Sequence, residues 1–250
     1  MTAGSIHSSP AVHRQPPAAE RARTIAAAPA VSLYGLGLGI CQLWGATTTD
    51  AGDVLLVVPT DGVVTAALRD TPLGDVPARL TVTERTPFPV PHPVRGLVQL
   101  TGLVASVAEY DVTRLVLDFA DVRTCDSLFD VGLSATLLRL EPAEVHLEEA
   151  GGTTDVGLDE FLAARPDPVS RAENALVAEH CHALVRLAAR IQRRVGRHDS
   201  IRLLALDRYG VRFRVQGSAG CYDLRVPFVA PLGGPAGFGA AVDRLLTCGP

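Results

Sequence analysis

Residues 201–228 read IRLLALDRYGVRFRVQGSAGCYDLRVPF, and this stretch decides the fold of the C-terminal third. Three β-type segments, 201–206, 211–216 and 221–228, are separated by Asp207-Arg208-Tyr209-Gly210 and by residues 217–220, both of turn composition. They predict a three-strand antiparallel meander. The turn length sets the register of the second hairpin. With 217–220 as a four-residue loop, Gln216 faces Cys221, Val215 faces Tyr222, Arg214 faces Asp223 and Phe213 faces Leu224. Apolar side chains then share one face, while Arg214 and Asp223 pair across the other.

Outward from the meander, residues 170–197 predict one long helix. Ser170 stands as an N-cap with Glu173 three residues on, the capping-box spacing. At helical spacing, Arg186, Arg190, Arg193, Arg194 and Arg197 share an arc of about 100°. Val177, His180, Leu184, Leu187, Ile191 and Val195 occupy the opposite side. Residues 238–247 predict a closing helix, so the module 169–248 reads helix, three strands, helix.

The N-terminal part has a different rhythm. A tail covers 1–17, a short Ala-rich helix 17–28, and β character returns at 31–38, 41–49 and 53–58. A short helix over 60–69 precedes strands at 78–85 and 95–107, which flank the proline-rich loop 86–94. Residues 111–122 fit a helix or a strand equally, an irregular excursion runs to 133, and 135–149 is a strand expected to break at Pro142. Six strands with two small helices predict a closed or partly closed antiparallel barrel over 18–150, joined by a linker over 151–168 that carries one or two helical turns. The fold class is α+β.

Composition narrows the chemistry. The 250 residues are 47% apolar and 20% charged, a globular balance. All 23 basic residues are Arg, so Schiff-base chemistry and P-loop lysines are excluded. Five widely spaced cysteines with no C-x-x-C pair argue against a disulfide framework or a structural zinc site and suit a reducing, cytoplasmic setting. No charge falls between Thr24 and Thr49, yet Pro29, Ser32, Gln42 and four glycines there suit tight β structure better than a membrane span. Residues 169–250 hold 12 Arg and 6 acids, net +6, whereas 1–168 hold 11 Arg and 21 acids, net −10.

The arginine stripe could meet an anionic ligand, an acidic protein surface or solvent. It lacks the interleaved aromatics that stack nucleic-acid bases, so nucleic acid is not expected. His180 lies on the apolar side of the helix and His182 far round from it, so the pair cannot hold one metal ion. His92 stands in the proline-rich loop and His146 in a strand. Gly35, Gly37 and Gly39 alternate, and on a strand their bare faces would admit a flat ligand or a packed helix. No Ser-His-Asp or Cys-His order stands out, and no catalytic residue is assigned.

Several local strings carry a family resemblance. Glu179-His180 in the long helix, Leu206-Asp207-Arg208-Tyr209-Gly210-Val211, and Arg225-Val226-Pro227-Phe228 carry it in the second module. Ala22-Arg23-Thr24-Ile25, residues 55–59, Ala78-Arg79-Leu80-Thr81-Val82 and Val98-Gln99-Leu100-Thr101-Gly102 carry it in the first. On these the chain resembles the haem-utilisation (HugZ-like) proteins. Those proteins have a split β-barrel, FMN-binding-like and akin to pyridoxamine phosphate oxidase, followed by a small α/β domain of unassigned function. The resemblance implies a homodimer with haem or flavin mononucleotide at the subunit boundary.

Two departures shape the expectation. Pro59-Thr60-Asp61-Gly62 puts a carboxylate where flavin-binding relatives receive the phosphate, so the purified protein is predicted to carry no flavin. The haem-degrading members use a histidine near the C-terminus; here none follows His198, leaving Cys221 or Cys248 as softer iron ligands. The sequence therefore predicts a tetrapyrrole-binding split-barrel dimer without the family's full enzymology. Arg186, Arg190, Arg193, Arg194, His180 and His92 are its candidate ligand contacts. A flavin-dependent oxidoreductase and a protein-binding regulator are the alternatives.

Overall fold

The structure, a computed structural model, describes residues 15–195, 198–217 and 220–248. The tail up to residue 14, Arg197 of the stripe and the Cys248 side chain lie outside what is described. Helix α1 (Ala18–Ala26) opens the first unit, followed by strands β1 (Ala30–Gly35), β2 (Gly39–Cys41), β3 (Gly45–Thr48) and β4 (Val54–Pro59). Helix α2 (Val63–Asp70) leads to β5 (Asp75–Arg85) and β6 (Val94–Ser106), and α3 (Glu109–Val122) with a single 3-10 turn leads to β7 (Ala135–Glu149). Next come β8 (Gly152–Val156) and α4 (Leu158–Ala163). The second unit consists of α5 (Pro168–Arg171), α6 (Glu173–Val195), β9 (Ser200–Asp207), β10 (Gly210–Gly217), β11 (Gly220–Pro227) and α7 (Phe238–Cys248).

The first unit is one eight-stranded sheet in the order β2-β1-β5-β6-β7-β4-β3, with β8 added to β7, and every named pairing is antiparallel. Its centre explains its sequence. All six residues of β4, Val-Leu-Leu-Val-Val-Pro, are buried because both faces of the strand are covered. Val54, Leu56 and Val58 enter the main core, and Leu55 and Val57 pack with Leu115 and Phe119 of α3. That second cluster settles the 111–122 segment as helix: Leu115 and Phe119, four apart, are its buried residues.

Three further expectations change. The stretch 151–168 is more than a linker: β8 pairs with β7, and Val156 and fully buried Phe161 belong to the main core. Pro142 does not end its strand; β7 continues through a bulge, with Gly102 opposite Pro142 and Thr101 opposite Glu144. The alternating glycines do not form a bare strand face. Gly37 and Gly39, at φ 79° and 76°, turn the chain at the β1–β2 hairpin.

The second unit matches its expected order, and β10 pairs with β11 in the register derived from the turn. Val211, Phe213 and Val226 face a core built with Leu184, Leu187, Ile191 and Phe238. The helix start differs from expectation. Asp167, not Ser170, is the cap: its Oδ1 accepts from the N–H groups of Val169 and Ser170, with Pro168 in the first turn. Ser170 donates to the Leu206 carbonyl, so no capping box forms with Glu173. The long helix is also interrupted, since His180 leaves helical geometry at φ −110°, ψ 20° and kinks α6.

Candidate functional site

Strand alternation gives the β9–β11 sheet two chemically distinct faces. Opposite its apolar face, Arg212 stands across from Arg225 and Arg214 across from Asp223. Arg214 donates through Nη1 to the carbonyls of Pro91 and His92, which brings this polar face against the β5–β6 connection of the first unit. A cleft runs between the units. Arg21, Glu84, Arg95 and Glu149 line it on one side, and Asp207, Arg212, Asp223 and Arg225 on the other.

Most of these charges are paired. Arg225 grips Asp207 with two hydrogen bonds of 2.7 and 2.6 Å, a fork-to-carboxylate geometry. Arg21 meets Glu149 at 2.8 Å, and Arg214 meets Asp223 at 2.5 Å. Arg95 meets Glu173 at 2.8 Å and Glu84 at 3.5 Å. Arg212 differs in one respect. It makes no hydrogen bond or ion pair with any described residue; its Nε is sealed from solvent without a partner, as is that of Arg95, while the side chain as a whole is half-buried. Burial, then the like charge of Arg225, holds its guanidinium below the ordinary arginine value, though an arginine remains charged at neutral pH.

The junction beside the cleft holds three carboxyl groups that burial pushes above their usual range: Glu20, Asp167 and Glu173. Glu173 still receives Arg95 and the Leu206 N–H, and Asp167 receives the Arg208 N–H. Glu20 pairs with Arg208 at 2.7 Å. Arg171 adds a pair to Asp50 at 2.8 Å, so the basic second unit docks on the acidic first through named contacts.

The other end of the cleft carries donor atoms that bind metals. His92 and Cys221 line it together with Arg95 and Arg214, while the neighbouring Tyr222 stands opposite Val215 on the other face of the sheet. His92 is exposed and has φ 52°, alone among the described non-glycine residues in a positive φ, and its carbonyl is held by Arg214. No group of three or more His, Cys, Asp or Glu that could hold a bare metal ion occurs among the described residues. No described helix is long and apolar enough to cross a membrane.

The structure divides the candidate contacts named from sequence. His92 lies in the cleft, and Cys221 with it. The α6 residues lie across the β9–β11 sheet, on its helical side. Arg186, Arg193 and Arg194 are exposed there, and Arg190 donates to the Leu245 and Leu246 carbonyls at the end of α7. The His180 ring packs 5.5 Å from Phe238 and against Gly239, a structural position. Sequence reasoning missed Arg95, Arg212 and Arg225. The derived register already placed Arg212 and Arg225 opposite each other, which was the signal available. At the expected phosphate position, Asp61 is exposed, and the N–H groups of Thr60 and Gly62 are taken by the carbonyls of Ser134 and Pro59.

No protein-family model matches the chain, and no curated protein matches it. Among solved structures, a heme binding protein from Mycobacterium smegmatis is similar with a TM-score of 0.59 at 22% identity, over 93% of this chain and 97% of that one. A protein of unknown function from Agrobacterium tumefaciens aligns at a TM-score of 0.44 and 14% identity, over 92% and 95%. The first likeness shows a common fold over nearly the whole length of both chains.

Proposed function

We propose that this protein binds haem, or a tetrapyrrole like it, in the cleft between its two units, as a split-barrel homodimer of the haem-utilisation type. One observation carries the reading: His92 and Cys221 line one end of an arginine-bearing cleft. Imidazole and thiolate are donors that proteins offer to haem iron. The fold shared with a heme binding protein supports the same reading. Exposed Tyr110, Leu117, Phe129 and Leu133, on α3 and the turn after it, offer apolar surface that a second copy would cover.

Bound haem would supply a redox-active iron. His92 or Cys221 would hold that iron. Arg95 and Arg214, fixed by Glu173 and Asp223, keep that wall in place, and the arginines further along the cleft would offer positive charge to acidic groups of the ligand. The reading is one of binding.

Titration with haemin tests this. A Soret band saturating near one haemin per chain supports it; of His92→Ala and Cys221→Ala the variant that removes the iron's donor should shift the band, whereas Tyr222→Phe, on the other face of the sheet, should not. An unchanged free-haemin spectrum at micromolar protein would refute haem binding. The competing oxidoreductase reading needs flavin. Purified protein should be colourless and release no flavin on denaturation, because Asp61 and the committed backbone donors oppose a phosphate there; stoichiometric flavin would reverse the ranking.

A further inference from the structure

We infer that Arg212 is the carboxylate-recognition point of the cleft, held unpartnered in the ligand-free protein and taking a single propionate-type group from the ligand. The inference rests on the tetrapyrrole reading above and narrows it to ligands that carry a free carboxylate.

Commitment of its neighbours is the first reason. Arg225 is fixed by Asp207, Arg214 by Asp223, Arg21 by Glu149 and Arg95 by Glu173. Only Arg212 keeps its planar fork of donors uncommitted among the described residues of this cleft. Asp207 and Glu84 lie close enough to favour its charge, but neither bonds it. Arg212 is half-buried, with its Nε sealed, and a partly desolvated charge set beside the like charge of Arg225 without a partner of its own opposes folding. A side chain that opposes folding in the free protein, and lines a cleft, is explained by the partner the cleft receives.

The carboxylates around it choose the ligand's charge. Glu84, Glu149, Asp207 and Asp223 surround the cleft, so a dianionic phosphate would meet strong repulsion. One carboxylate places a single negative charge on a guanidinium whose fork matches it bidentately. The same wall carries the donor end, so a flat ligand anchored at Arg212 by its acidic edge extends toward His92 and Cys221 through the shared lining of Arg95, Glu149 and Asp223.

The experiment compares haemin, haemin dimethyl ester and flavin mononucleotide on the wild type, Arg212→Gln and Arg212→Met, with thermal unfolding of each ligand-free protein. Wild type should prefer haemin to its ester by about ten- to a hundred-fold, the worth of a charged hydrogen bond. Both variants should lose that preference by weakening haemin alone. Ligand-free, they should unfold at or above the wild-type temperature, because an unpartnered charge has been removed. Haemin bound equally by wild type and variants, with no discrimination against the ester, overturns the role of Arg212 and leaves the haem reading standing. Failure of the wild type to bind haemin overturns both. A lower unfolding temperature in both ligand-free variants makes Arg212 structural and overturns the inference. Flavin mononucleotide binding that depends on Arg212 overturns the choice of carboxylate over phosphate.

Discussion

At the scale of single residues, the fold relies on carboxylates whose partners lie far away in sequence. Glu173 looked like the acid of a capping box, yet it receives Arg95 from 78 positions away and the Leu206 N–H from 33. Its carboxyl sits above its ordinary value because burial outweighs the attraction of Arg95. A raised value in the folded state means that the native form favours the proton. The stability contributed by this group is complete below its unfolded value of 4.5 and is lost as pH rises through the folded value. Glutamine keeps the neutral shape at every pH. Denaturant unfolding from about pH 4 to about pH 8 should therefore show Glu173→Gln gaining on the wild type as pH rises. A gap that stays flat, or moves the other way, would mean that the Arg95 pair dominates. The helix start was readable only in part. Asp167-Pro168 is as good a start signal as Ser170, and the choice between them depended on the Arg208 N–H that Asp167 also receives.

Elements were legible where their logic is local. The β10–β11 register followed from turn length and alternation, and Arg214 opposite Asp223 satisfied both. Illegible were elements whose reasons lie elsewhere. The 111–122 segment fits either period, and the apolar face of β4 decided it by covering Leu115 and Phe119. Residues 151–168 read as linker because Gly, Asp and Pro dominate them, yet Phe161 is fully buried beneath the Arg23 guanidinium, 5.3 Å from its ring centre. Phe161→Ala should cost about 3–5 kcal/mol, as for a core aromatic. A change below about 0.5 kcal/mol, the usual size at an exposed site, would return the stretch to a linker. The bulge gives a second case. A Cβ on Gly102 would collide with the Glu141 carbonyl, so Gly102→Ala should displace the β6–β7 pairing, seen as lost amide protection on both strands. Wild-type protection there would mean that the bulge tolerates a side chain.

For the whole molecule, the charge division of −10 against +6 suits halves that attract each other within the chain or across a dimer, and the contacts Arg171–Asp50 and Arg208–Glu20 are of the first kind. The α6 stripe is the basic surface that sequence shows, because helical periodicity is visible there whereas the face a sheet turns toward another unit is not. Two double variants separate these surfaces. Arg186 and Arg193 are exposed on α6, away from the cleft. Replacing both with Gln should change stability by no more than about 0.5 kcal/mol and leave haemin affinity alone. Arg171 and Arg208 bridge the units, and exposed pairs are each worth about 0–1 kcal/mol, screened by salt. Replacing both with Gln should lower stability by up to about 2 kcal/mol at low salt, with the deficit shrinking as salt rises. Stability losses in the opposite order, large for the α6 pair and negligible for the bridging pair, would put the docking surface on the helix. A loss of haemin affinity in the α6 variant alone would move the ligand site there and out of the cleft.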